Sequence, residues 1–163
     1  MNNLMATAQS TEPEPLKFYL HPGQLFACTK NYAVTTILGS CVSVCLWDPL
    51  TKIGGINHFL LPYDVGDGQA PSRFGNLAVQ ELIDQVLALG AAQVRLQAKL
   101  FGGACVLDAF RGRAKHLGMK NVEVARELLQ CANIPILGEA VGGDRGRKLI
   151  FHTDSGSAWV KGL

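Results

Sequence analysis

Charge is scarce in this chain of 163 residues: Asp, Glu, Lys and Arg together make up 17% of it. Fifteen basic residues oppose 13 acidic ones, a formal balance of +2 at pH 7. So small a balance leaves no electrostatic footprint for nucleic acid or an anionic membrane. The densest basic runs, "RGRAK" at 111–115 and "DRGRK" at 144–148, are short and separated, the pattern of solvated loops. Apolar runs long enough to cross a bilayer are missing, so no membrane insertion is expected. The opening "MNNLMATAQSTEPEPLK" has no basic stretch followed by an apolar one. A secretory leader is therefore not expected, and the reading is cytoplasmic. The five cysteines, at 28, 41, 45, 105 and 131, are an odd number with no regular spacing. That excludes a disulfide framework and leaves reduced thiols, most of them expected in the core.

What is present is a globular composition, 48% hydrophobic, on a chain long enough to bury one full core. Residues 1–14 are rich in Ser, Thr, Glu, Gln and Pro and read as a disordered extension. Residues 15–163 read as a single domain. "KFYLHPGQLFACT", "YAVTTIL", "CVSVCLW" and "IGGINHFLL" are β-branched or aromatic-rich runs bounded by Gly, Pro or Asp, the marks of strands. In "CVSVCLW", Val42, Val44 and Leu46 share one side, and Cys41, Ser43 and Cys45 the other. "GNLAVQELIDQVLALG" has helical spacing, with Asn76 as N-cap and Gly90 as stop. "QVRLQAKLFGG" alternates again, placing Val94, Leu96, Ala98 and Leu100 on one face. "NVEVARELLQCAN" is a second helix, capped by Asn121. "IPILGEAVGG", "RKLIFHT" and "SAWVKG" close the chain as strands, the last two joined by a "DSGS" hairpin turn. The class is mixed α/β with more strand than helix.

The candidate chemistry centres on "TTILGSCVSVCLWDP". A thiol is a nucleophile only as thiolate, which needs a base, a positive neighbour or a field of amides. Gly39 permits a tight turn before Cys41, Ser40 keeps the approach open, and amides at such a turn can hold an oxyanion. Taken alone, the local sequence leans towards a small buried thiol. His58 changes the balance. If "CVSVCLW" and "GGINHFLL" form a hairpin over the Asp48–Lys52 turn, pairing about residues 49–50 sets Cys41 opposite His58. An imidazole there can take the thiol proton and return it to a leaving group. A one-residue slip would turn His58 to the wrong face. A zinc reading would use Cys41, Cys45 and His58, but it has neither a C-x2-C spacing nor a fourth ligand. Thr35 and Thr36 are candidates to fix the histidine tautomer. "FGGAC" at 101–105 lacks the Lys-Ser/Thr of a phosphate loop and reads as a turn lining a site. Cys28, Cys105 and Cys131 read as packing groups, and His21, His116 and His152 as surface or satisfied histidines.

The stretches "TTILGSCVSVCLWDP", "GGINHFLLP", "FGNLAVQELIDQVLALGA", "KLFGGA" and "NVEVARELLQCANIPILGEAVGGDRGRKLIFHTDSG" resemble the chemoreceptor glutamine deamidase CheD family from about residue 30 onwards. The resemblance implies a three-layer α/β/β sandwich with two or three helices. It implies a Cys-His-Thr site without cofactor or metal. By motif position Cys41 is the nucleophile, His58 the general base and Thr35 the orienting hydroxyl, with Gly39 and Ser40 supporting the turn. The implied substrates are glutamines on the cytoplasmic helices of methyl-accepting chemotaxis receptors, and the CheC phosphatase is an implied partner.

Overall fold

A computed structural model describes residues 12–107 and 115–163. The expected disorder of 1–11 and most of the "RGRAK" run lie outside the described residues. In chain order the elements are β1 (Leu16–Tyr19), β2 (Leu25–Cys28), β3 (Tyr32–Leu38), β4 (Val42–Asp48), β5 (Ile53–Asn57), α1 (Gly75–Ala88), β6 (Gln97–Gly102), α2 (Leu117–Cys131), β7 (Ile136–Val141), β8 (Arg147–His152) and β9 (Ala158–Gly162). The strands form a four-stranded sheet, β1-β3-β8-β9, and a five-stranded sheet, β2-β5-β4-β6-β7.

The alternation in β4 decides the layering. Val42, Val44 and Leu46 bury against α1 and α2, beside Val79, Leu82, Val86, Val122 and Leu129. Cys45 points the other way, into a second core with Val34, Leu38, Ile56, Phe101, Leu149 and Phe151. Helices thus cover one face of the five-stranded sheet and the four-stranded sheet covers the other. That is the expected α/β/β order. Each fully buried aliphatic or Phe side chain contributes about 1.5–3 kcal/mol. The glycine pair in β5 lets both layers approach. A Cβ on Gly55 would meet Leu82 of α1 at 2.8 Å, and one on Gly54 would run into the Thr153 backbone.

Four sequence expectations shift. α2 begins a turn early, at Leu117, because the His116 side chain caps it by accepting from the Met119 amide at 3.3 Å. Asn121 is consequently buried inside the helix rather than its cap. α1 starts at Gly75, so Asn76 is inside it too, and its side-chain oxygen instead accepts from the Asp64 amide at 3.2 Å. Val94 is 93% exposed in a short 3-10 turn, and the alternation of β6 starts only after it. Cys131, expected in the core, is exposed at the end of α2.

Asp48 fastens the β4–β5 hairpin. Its buried carboxylate accepts from the Leu50 and Thr51 amides within the turn and from the Ala92 amide across it. Arg95 reaches the same carboxylate with two nitrogens, the closer at 2.8 Å. The guanidinium and these amides hold the Asp48 carboxyl well below the usual carboxylate range. A depressed folded pKa stabilises above the unfolded value, about 3.9, and that share is lost as the pH falls below it. Replacing Asp48 with Ala strands the amides and the Arg95 charge. Urea denaturation at pH 7 should show a loss of about 3 kcal/mol, and the gap to wild type should narrow in strong acid.

Candidate active site

The two strands that carry "SCVSV" and "GGINHF" are antiparallel neighbours. Cys45 pairs with Ile56, Asp48 with Ile53, and an isolated bridge joins Val42 to Phe59. The pairing centre therefore lies one residue beyond the sequence expectation. Cys41 is diagonal to His58 rather than opposite it. The displacement is two positions along the partner strand, so the face is preserved: Cys41, Ser43, Cys45, Ile56 and His58 all look towards the four-stranded sheet. Diagonal neighbours at about 7–8 Å are within reach of an imidazole.

His58 is almost completely enclosed, 1% exposed. Its backbone continues the sheet beyond β5. Its carbonyl accepts from the Gly23 amide at 2.7 Å, and its own amide donates to the Gln24 carbonyl at 2.9 Å. The ring is fixed by Thr36. The Thr36 hydroxyl lies 2.8 Å from His58 Nδ1 and donates to the Leu20 carbonyl at 2.8 Å. A hydroxyl has one proton, and the carbonyl can only accept. Thr36 Oγ1 must therefore accept from His58, which places the ring proton on Nδ1 and leaves the Nε2 lone pair free. Nε2 is buried and has no hydrogen-bond partner among the described residues. Burial pushes the His58 pKa down to about 4, so the ring is neutral at physiological pH.

Thr36 therefore stands where motif position had placed Thr35. The cause is strand parity. Val34, Thr36 and Leu38 of β3 are buried, whereas Thr35 lines the outer face of the four-stranded sheet with Tyr19, Ile37 and Lys148. A strand cannot present consecutive side chains to one site.

Cys41 sits half-buried at the start of β4. Burial raises its thiol above the ordinary value, while its own backbone amide and the Arg73 charge act to lower it. Arg73 was not singled out from the sequence. Its carbonyl receives the Leu60 amide at 2.9 Å, which brings this residue alongside the His58 strand. The resting pair is thus a neutral thiol and a neutral imidazole. The turn before Cys41 is held from behind. The Gly39 and Cys41 carbonyls accept from the Ala104 and Gly103 amides at 2.9 and 2.8 Å. The Ser40 carbonyl accepts from Asn121 Nδ2 at 3.0 Å. With these carbonyls turned inward, the Ser40 and Cys41 amides face outward, and neither donates a backbone hydrogen bond among the described residues. Amides without acceptors at such a turn can receive a developing oxyanion. The "FGGAC" turn supports the Cys41 backbone from inside, and a Cβ on Gly102 (φ 105°) would collide with the Cys41 carbonyl.

An apolar cleft of about 260 Å³ opens beside Ser40, between Cys105, Val106, Leu107 and Leu117. Cys45 is fully buried in the inter-sheet core, where burial pushes its thiol far up. Among the described residues no cluster of three His, Cys, Asp or Glu could hold a metal ion.

A model of the family described as "CheD chemotactic sensory transduction" matches residues 60–162. A protein of Anaeromyxobacter dehalogenans named probable chemoreceptor glutamine deamidase CheD 1 is 53% identical over 145 residues, covering 89% of this chain and 84% of its own. A Stenotrophomonas maltophilia protein named probable chemoreceptor glutamine deamidase CheD is 44% identical over 156 residues, covering 95% of this chain and 77% of its own. Among solved structures, a Bacillus licheniformis hypothetical protein, YfiH, aligns with a TM-score of 0.46 at 17% identity, over 71% of this chain and 49% of that one. The chain belongs to the CheD family.

The site's electrostatics are directly measurable. Nitrogen-detected NMR should show the His58 Nδ1–H tautomer at neutral pH and titration near pH 4. Because that value lies below the unfolded one, about 6.5, global stability should fall as the pH drops from 6.5 towards 4. Iodoacetamide alkylation of Cys41 should keep accelerating into the alkaline range; a plateau by pH 7 would show a pre-formed thiolate instead.

Proposed function

We propose that this protein is a cysteine-dependent chemoreceptor glutamine deamidase, converting glutamine side chains of chemotaxis receptors to glutamate with release of ammonia. The observation that carries the reading is the buried, tautomer-locked His58, whose free Nε2 shares a face with Cys41. The names carried by its relatives support the substrate class.

His58 Nε2 takes the Cys41 proton as the sulfur attacks the carboxamide carbon. The carbonyl electrons move to oxygen, which the Ser40 and Cys41 amides receive. The tetrahedral species collapses, His58 gives its proton to the departing nitrogen, and ammonia leaves a thioester on Cys41. A water then loses a proton to Nε2 and attacks the thioester. Collapse expels the Cys41 thiolate, which recovers its proton, and the product is glutamate. Neither metal nor cofactor enters these steps. The shallow apolar cleft beside Ser40 suits the aliphatic side chains of a helical substrate. The turn at 101–105 was expected to line the site. Phe101, Gly102 and Gly103 are buried under the nucleophile turn, so the rim is assigned to the segment after Leu61, where Tyr63 and Val65 are exposed. No helix among the described residues is long and apolar enough to cross a membrane. Within this reading the protein meets the receptor's cytoplasmic helices from the cytoplasm. A CheC phosphatase as binding partner follows from the resemblance, and co-purification with CheC tests it.

Incubation with a receptor cytoplasmic fragment should convert specific glutamines to glutamates, followed by mass spectrometry. Cys41→Ala and His58→Ala should abolish conversion. Thr36→Val should lower kcat by about 10- to 100-fold, whereas Thr35→Val should leave it near wild type. A wild-type protein that binds the fragment without converting it would replace the enzyme with an adaptor. Conversion that survives Cys41→Ala would remove the nucleophile.

A further inference from the structure

We infer that Asn121 is a positioning residue for the Cys41–His58 site, one that sets the direction of the Cys41 amide; the inference rests on the function proposed above. Asn121 is fully buried on α2. Its carboxamide nitrogen donates to two carbonyls, Ser40 at 3.0 Å and Leu60 at 2.9 Å. Ser40 precedes the nucleophile, and Leu60 stands two residues beyond the base. One side chain therefore ties the turn of the thiol to the strand of the imidazole.

Peptide geometry turns this tie into a chemical role. The Ser40 carbonyl and the Cys41 N–H belong to one trans peptide plane and point in opposite directions. Drawing the carbonyl towards α2 drives the Cys41 N–H outward, to its own sulfur and to the position of the oxyanion. Gly103 and Ala104 act likewise on the flanking carbonyls, but through backbone amides. Among the described residues, only Asn121 does it with a side chain. The residue is also costly where it stands. Asn is a poor helix-interior residue, and Asn121 Oδ1 is buried without a hydrogen-bond partner among the described residues. An unpaired buried acceptor destabilises, so an apolar residue would serve packing better.

Asn121→Leu keeps a similar volume and has no polar hydrogen to give either carbonyl; Asn121→Ala is the smaller second variant. In either folded variant kcat for the receptor fragment should drop about 100-fold, with KM changed less than about three-fold. Cys41 alkylation by iodoacetamide should slow and its pH profile should move upward. Wild-type kcat and alkylation in a folded variant overturn the inference, as does a lowered melting temperature with an unmoved alkylation profile. If both variants fail to fold, the wild type decides. Alkylating Cys41 should shift the Asn121 carboxamide NMR signals, and unmoved signals overturn the inference. Wild type that alkylates as expected but converts no glutamine overturns the proposed function, while the alkylation arm still decides Asn121.

Discussion

A single hydroxyl proton, shared between Thr36 and the Leu20 carbonyl, governs what the rest of the molecule can do. Once that proton is committed to Leu20, the Thr36 oxygen faces His58 as an acceptor only, and the imidazole has one tautomer available. Thr36 comes from the four-stranded sheet and His58 follows β5 of the five-stranded one. The two sheets must therefore be stacked in register before the base has a defined lone pair. The inter-sheet core of Val34, Leu38, Ile56, Phe101 and Leu149 is what fixes that stacking. The glycine pair of β5 sets how closely the layers meet.

Burial works on the two reacting groups in opposite senses of charge but with one result. It disfavours the imidazolium of His58 and the thiolate of Cys41 alike, so both rest neutral. In the proposed mechanism the attacking thiolate then forms only during reaction, as the thiol proton passes to His58 Nε2. Arg73 and the Cys41 amide oppose the desolvation of the sulfur without overcoming it. In that mechanism the Ser40 and Cys41 amides receive charge only as it develops on the substrate, the condition under which such donors act on the barrier rather than on binding.

Much of this was legible in the sequence because the relevant pattern is local. β4 and β5 are joined by a short turn, and alternation in "CVSVCLW" put Cys41 on the inner face without any long-range assumption. The register missed by two positions, an error that alternation tolerates and that a slip of one would not have been. Motif position chose Thr35, but parity within β3 gives the inner face to Thr36, flanked by buried Val34 and Leu38. Val34, Thr36 and Leu38 all appear in "YAVTTIL", so the alternation could have been read. Asn121 was legible only as a polar residue at the start of a helical pattern, and an N-cap is the usual meaning of that. Its carbonyl partners lie 81 and 61 residues away. Arg73 likewise reaches the site through loop backbone pairing, for which sequence carries no period.

The groups that hold the nucleophile turn have a consequence for when the thiol is armed. Cys41, His58 and Thr36 are all synthesised early, yet Gly103, Ala104 and Asn121, which clamp the carbonyls of residues 39–41, come from the second half of the chain. A partly made or partly docked chain contains the whole reacting trio and still lacks the aligned amides. Under the proposed mechanism, competence is a property of the finished molecule, and a stalled or clipped copy carries an ordinary cysteine rather than a loose hydrolase.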